Sequence, residues 1–339
     1  MPGTLCATLR KRGFIRHAAR WLLALSFGAP GAAALAQDDP ARPLGSAPIK
    51  IVIPFGAGSG TDFYGRLVAQ QLTESLGTSV IIENRPGANG VIAAEQVANA
   101  KPDGTTFFMT SNTAVAANPH LIKNLKYDPV RDFTPISRMG NLTFFVMVAA
   151  DSPFRNMKDL LDTARRDPRK VSYGTANSLS LVSGVKLANL AGVEILQVPY
   201  KNPPQIVTDL LGGQLSFAFV DMATASSLTK AGKVRAIATL GENRFPLLPD
   251  VPSMKELGFP EFDVVAWFGL FAPAGTPAPV VSAMNKALNA VLAKSDFRER
   301  TAAAGFEAFG STPEGLAAYL KEQLALWGKL TADAGLQPQ

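Results

Sequence analysis

The 339-residue sequence holds one cysteine and two histidines, so it has few of the side chains most used for disulfides, metal binding and acid–base catalysis. Cys6 and His17 both fall in the first 36 residues, which read as a removable segment. There Arg10, Lys11, Arg12, Arg16 and Arg20 form a basic stretch, an apolar run follows from Trp21, and Ala34-Leu35-Ala36 makes a small-x-small cleavage site. This is the pattern of a secretory signal peptide cut before Gln37. The apolar run is broken by Ser26, Gly28, Pro30 and Gly31 and is short of the ~20 residues a membrane span needs. No later stretch reaches that length without charges or prolines. The remainder has no cysteine, which excludes a disulfide framework and a thiolate metal site. With His120 as its single histidine, it also excludes a His-rich metal site and any triad needing two histidines.

Excess positive charge is lacking too. The formal net charge is +6, but five of the 33 basic residues and none of the 27 acids precede Gln37, leaving 28 against 27. So even a balance gives no reason to expect nucleic acid as a partner.

What is present is a strand, a glycine loop and a helix, in that order, at 49–77. Residues 49–53 are a β-branched run expected to be a buried strand. Gly56, Gly58 and Gly60, with Ser59 and Thr61, form a small-sided loop. From Asp62 the period becomes helical, with Phe63, Leu67, Val68, Leu72 and Leu76 on one face and Gly77 as a stop. Free N–H groups and the positive end of the helix dipole then point into the loop, which suits an anion.

Further strands are expected at 79–82, 105–110, 142–149, 170–173, 194–200, 215–220, 234–240 and 264–272. Helices are expected at 91–100, 157–166, 181–191, 204–211 and 222–231. Residues 118–136 read as irregular chain with one short helix. Thr276-Pro277 and Thr312-Pro313 read as two helix starts, and the last helix, through Tyr319, Leu320, Leu324, Trp327 and Leu330, reads as packing. Strands alternating with helices imply parallel-rich sheets with right-handed crossovers. Polar loops recur at strand ends, at 111–113 and 174–180, and ligands in open α/β sheets sit at such ends. Two lobes facing each other through these loops make a hinged clamp.

Two enzyme readings compete. A nicotinamide site would use the glycine loop with Glu83 as the ribose-binding acid, but the third glycine of G-x-G-x-x-G is missing and no P-loop lysine is present. A hydrolase would use Ser59, Ser111 or Ser178 with His120 as base, yet none of these serines sits in G-x-S-x-G. Neutral hydroxyls and backbone N–H groups bind a carboxylate without burying a counter-charge, and they do no chemistry on it.

Several segments match one family in order along the chain: PFGAGSGTD (54–62), ENRPGANG (83–90), KPDGTT (101–106), NPHL (118–121) and YDPVRDFTPI (127–136). VPYK (198–201), TDLLGGQ (208–214), AGKVRAIA (231–238), LPDVPS (248–253) and WFGLFAPAGTP (267–277) continue the match. In these the sequence resembles the Bug-type, TctC-like solute-binding proteins of tripartite tricarboxylate transporters. The resemblance implies a two-lobe periplasmic-binding-protein type II (Venus flytrap) α/β fold with a central cleft for a small carboxylate. It implies a signal peptide at 1–36, a flexible lead-in at 37–47, lobe 1 at 48–146, lobe 2 at 147–263 and a return to lobe 1 at 264–339. Residues 142–149 and 264–272 would be the strands that cross the hinge.

Carried over position by position, the resemblance implies that Thr61, Asp62 and the amides of Ala57, Gly58, Ser59 and Gly60 bind the carboxylate, with Phe55 and Gly56 beside them. Ser111, Asn112 and Thr113 would complete the first wall. Thr175, Asn177, Ser178, Ser180 and Tyr200 would form the second, and Asp221 would select an amine or hydroxyl. The implied partners are a small carboxylate and the membrane permease subunits of such a transporter, or a sensor kinase. The protein would be a periplasmic monomer with no cofactor, metal, nucleic acid or catalysis. The chain departs from the family pattern in the cleft: Gly58-Ser59 stands where a glycine pair is usual, Leu181 where histidine is common, and Asn202-Pro203 follows VPYK.

Overall fold

The computed structural model describes residues 44–338, apart from 242, 261 and 263. The expected signal peptide and residues 37–43 of the lead-in lie outside the described residues. The end of the lead-in is pinned instead of free: Leu44 is buried in the core, and the Thr78 hydroxyl reaches the carbonyls of Ser46 and Ala47 at 3.3 and 3.2 Å.

The β-branched run forms strand β1 (Ile49–Ile53), and helix α1 (Gly60–Leu76) follows the glycine loop. The helix starts earlier than its apolar period indicates, because Ser59 caps it by accepting from the Asp62 N–H at 3.2 Å. Gly77, at φ 65°, ends it. Its buried face is also turned relative to expectation. Tyr64, Val68 and Leu72 are fully buried, whereas Phe63 is 39% exposed. Tyr64 takes the core position because its ring stacks on Phe306 at 4.5 Å while its hydroxyl donates to the Met139 carbonyl.

Strand β2 (Val80–Asn84), helix α2 (Val91–Ala98) and strand β3 (Thr106–Ser111) continue the alternation. Where a polar loop is expected at 111–113, Ser111 ends the strand and the chain turns helical at Asn112. A π-helical turn (Thr113–Ala117) runs into α3 (Asn118–Leu121). Strand β4 (Phe133–Leu142) begins inside the stretch read as irregular; Pro135 hides it in the sequence, yet sits where the pairing with Phe271 shifts register. The single strand expected at 142–149 is two. Thr143, whose N–H donates to the Gly305 carbonyl at 2.9 Å, separates β4 from β5 (Phe144–Ala149).

The second series is α4 (Met157–Arg166), β6 (Ser172–Thr175), α5 (Ser178–Ala191), β7 (Leu196–Pro199), α6 (Pro203–Leu211), β8 (Phe217–Asp221), α7 (Met222–Lys230) and β9 (Val234–Thr239). The chain closes with β10 (Ala266–Pro273), α8 (Ala278–Ala293), α9 (Ser295–Ala302), β11 (Phe306–Glu307) and α10 (Pro313–Asp333). Thr312 caps α10 as expected, but Thr276 does not cap α8: its hydroxyl donates to the Pro273 carbonyl at 2.8 Å.

Two sheets result. One has the order β11-β4-β10-β3-β1-β2, the other β7-β6-β8-β5-β9. The strands joined through helices pair in parallel: β1 with β2 and β3, β6 with β7 and β8. Strands that enter from the other sheet run antiparallel, β10 against β3 and β4, and β5 against β8 and β9. No crossover helix dictates their direction. The chain passes between sheets at Thr143 and again between β9 and β10. The carboxyl ends of β1, β3, β6 and β8 therefore all face one region, beside the first crossing.

Candidate functional site

That region holds a small cavity of about 20 Å³. The first loop lines it with Phe55, Ser59, Gly60 and Thr61, and the end of β3 with Ser111, Asn112 and Thr113. From the second sheet come Asn177, Leu179, Pro203 and Asp221. Leu142 and Phe144 flank the crossing, and Ala266 and Phe268 of β10 form the floor.

Five helix N-termini converge here. Ser59 caps α1, Asn177 caps α5, Asn202 caps α6 and Asp221 caps α7, each accepting from a backbone N–H of the first turn. The fifth is the helical run starting at Asn112. Each end carries roughly half a positive charge. Among the described residues lining the cavity, Asp221 is the one charged side chain; no lysine or arginine takes part. Any positive field at the cavity thus comes from backbone geometry, with Asp221 acting against it.

The expected site residues divide into three groups. Phe55, Ser59, Gly60, Thr61, Ser111, Asn112, Thr113, Asn177 and Asp221 meet at the cavity. Others brace it from outside. Asp62 faces back into its own loop, accepting from the Gly58 N–H at 3.0 Å and from Asn84 at 3.0 Å, and pairing with Arg66 at 2.9 Å. Burial raises its pKa, but the bonds from Arg66, Gly58 and Asn84 outweigh that and hold it below the ordinary 3.8. It shapes the loop instead of lining the cavity, and Gly58, whose amide it occupies, is exposed along with Ala57. The Ser180 hydroxyl donates to the Asn177 carbonyl at 2.9 Å, fixing the α5 start, and Thr175 accepts from Gln197 at 3.0 Å. Gly56 approaches Asn202 across the loops. Ser178, fully buried at the first turn of α5, has a hydroxyl without a partner among the described residues. Tyr200 stands apart, donating to Asp209 at 2.6 Å.

Two competing candidates are occupied elsewhere. Glu83 pairs with Lys50 at 2.7 Å and also meets Gln96 and Arg85, and the Lys50 bond above all brings its pKa down to about 2. His120 bonds through Nε2 to the Leu324 carbonyl at 2.8 Å and packs on Gly328 of α10. It lies outside the cavity.

The walls touch through a latch that the sequence reading missed. The Gly60 N–H donates to Thr224 Oγ1 at 3.0 Å, and that hydroxyl donates to Asp221 Oδ2 at 2.7 Å. The Thr224 N–H donates to Asp221 Oδ1 at 2.8 Å. Asp-x-x-Thr after a strand is a legible capping pattern, but nothing in it announces the contact with Gly60. Opposite, Asn112 is 1% exposed, and its side-chain nitrogen has no partner among the described residues.

Burial drives the Asp221 pKa up, partly countered by the Thr224 bonds. A raised pKa means the folded state holds a proton that the unfolded chain has released, so stability falls as pH rises above 3.8 toward the folded value. Asp221→Asn keeps the cap without the charge. Its melting temperature should gain on wild type as pH rises through the acidic range, and a constant difference across pH would contradict the assignment.

The sequence model described as "Tripartite tricarboxylate transporter family receptor" matches residues 64–336. A UPF0065 protein of Bordetella bronchiseptica is 34% identical over 337 residues, 97% of each chain. Three solved structures are similar throughout. The periplasmic binding protein BugD is 35% identical, with a TM-score of 0.83 over 87% of this chain and 100% of that one. Rpa4515 of R. palustris, with adipate, is 31% identical, with a TM-score of 0.84 over 87% and 99%. MatC from Rhodopseudomonas palustris, with bound malate, is 30% identical, with a TM-score of 0.78 over 84% and 98%.

Proposed function

Because the chain belongs to the tripartite tricarboxylate transporter receptor family, we propose that it captures a small organic acid between its two sheets and delivers it to the membrane permease of such a transporter. The observation that carries this is the convergence of five helix N-termini on a cavity with no lysine or arginine. A carboxylate is what such a field holds, and it holds it reversibly, because no strong counter-ion must be broken on release. The adipate and malate in the two similar structures agree in chemistry.

In this reading Gly60, Thr61, Asn112 and Thr113 take the acid from one side and Asn177 and Ser178 from the other. Asp221, the one acid at the cavity, favours a ligand carrying a hydroxyl or ammonium group over a plain dicarboxylate. The lobes divide near the bounds 48–146, 147–263 and 264–339; the sheet membership of β9 and β10 supports the second boundary, while β5, wholly in the second sheet, favours placing the first at Thr143. Export to the periplasm rests on the sequence pattern of residues 1–36 and on the family. Among the described residues no helix is long and apolar enough to cross a membrane. In this reading the acid leaves unchanged; the one histidine of the described chain is tied to Leu324, away from the cavity.

A cavity of about 20 Å³ has room for about one water molecule. An acid of four or more carbons therefore enters only when the walls part, and it is held as they close on it again from both sides. Heating the purified protein with a panel of mono-, di- and tricarboxylic acids tests the proposal. One acid should stabilise it by about 2.7 kcal/mol at a hundredfold excess over Kd. A panel in which no acid moves the melting temperature would count against it.

A further inference from the structure

A second cavity, of about 230 Å³, lies between β4 and α10, and its chemistry is the reverse of the first. Its lining is mixed, with Val264, Leu326, Trp327 and Leu330 on the apolar side and Asn141 and Gln323 on the polar side, and its charged member is a cation, Arg138. The guanidinium carbon sits 3.7 Å from the Tyr319 ring centroid and 4.7 Å from that of Phe309, so aromatic faces hold it on two sides. Arg138 has five N–H donors. The one hydrogen bond that its side chain makes among the described residues runs from Nη2 to Asn141 Oδ1 at 3.0 Å, and its Nε is buried with no partner.

The neighbouring acids leave it unpaired. Glu307 accepts from Asn141 Nδ2 at 3.0 Å, so Asn141 stands between the guanidinium and that carboxylate. Glu322 acts on it only at longer range. Among the described residues neither acid comes within ion-pair distance of Arg138. Desolvation pushes the Arg138 pKa down, as expected for a cation withdrawn from water without a full counter-charge. A half-buried arginine in this condition is costly unless something completes it.

We infer that this cavity is a second binding site, for a small monocarboxylate with an apolar body, whose carboxylate pairs with Arg138 while its hydrocarbon part lies against Val264, Leu326 and Leu330. The volume is below the ~300–1,000 Å³ of drug-sized sites, which limits the occupant to a small acid. Gln323, at the rim, is held by the Trp267 indole N–H at 2.8 Å, so that wall is already set. An acidic side chain of another protein would fill the charge but leave the apolar wall uncovered, so the free acid fits better.

Benzoate is the probe. Titrated into the purified protein, it should bind saturably and shift the Arg138 Nε–H resonance. Acetate, without the apolar body, and benzyl alcohol, without the charge, should each bind far more weakly. Arg138→Gln should weaken benzoate by at least about tenfold, the size of a lost charge-assisted bond. Arg138→Lys, which keeps the charge but not the planar fork, should weaken it less and serves if the glutamine variant does not fold. Benzoate binding should persist in Gly60→Ala. No saturation in the millimolar range, or benzoate affinity unchanged in both Arg138 variants, would overturn the inference. So would loss of binding in Gly60→Ala, which would place benzoate in the first cavity.

Discussion

Gly60→Ala should cost the protein at least about 100-fold in affinity for its organic acid, roughly 2.8 kcal/mol, while leaving the fold intact. A methyl group at this position would lie 2.3 Å from Asp221 Oδ1 and 2.8 Å from its carboxyl carbon. Asp221 cannot swing aside cheaply, because both its oxygens are bound by Thr224. The clash falls between the two walls and not within either. It is relieved by holding the walls apart, which removes one side of the site from the acid. Within α1 the change is harmless or mildly favourable, since alanine is the better helix former by up to ~1 kcal/mol. Calorimetric titration should therefore show the loss while the melting temperature without ligand stays within a few degrees. Scattering should show a larger radius of gyration for the variant. Full affinity in Gly60→Ala would mean that the acid does not depend on this approach.

The largest effect on stability is expected at Gly140. Its φ of 121° is outside the range that side chains tolerate, and a Cβ there would stand 2.0 Å from the backbone oxygen of Glu307. Relief requires β11 to leave β4, where Phe306 pairs with Leu142 and Glu307 with Asn141. Phe306 would carry its stack on Tyr64 with it. Backbone strain and lost core packing together put Gly140→Ala at about 3–5 kcal/mol of destabilisation, or a fall of ~10 °C in melting temperature for a chain of this size. A fall of only a degree or two would show that β11 yields easily.

How far the sequence disclosed this site differs residue by residue. The glycine loop was readable because small residues between a β-branched run and a helical period leave few alternatives, and Ser59 and Asn177 stand at cap positions. Asp62 faces its own loop, a placement that sequence leaves open because an acid beside an anion loop can face the ligand or the loop. Arg66, four residues on, was the available sign that it faces the loop. Asn112 reads as loop because Thr113 and Val115 are poor helix formers, and the π-helical turn that joins them to α3 follows no simple period. Leu142, Phe144, Ala266 and Phe268 could not be picked out, since a strand residue lining a cavity and one lining a core look alike in sequence. The parallel parts of both sheets followed from alternation. The antiparallel crossing strands did not, because strand direction there depends on which sheet the chain comes from.

The central claim is that an organic acid sits where the helix N-termini meet, against Asn112. It is tested most directly by following the Asn112 side-chain amide by nuclear magnetic resonance while titrating the acid that stabilises the protein most. Its two N–H signals should move and saturate along the same binding curve that calorimetry gives, because the buried nitrogen gains the partner it lacks. Heat of binding with those signals unmoved would place the acid elsewhere and contradict the account.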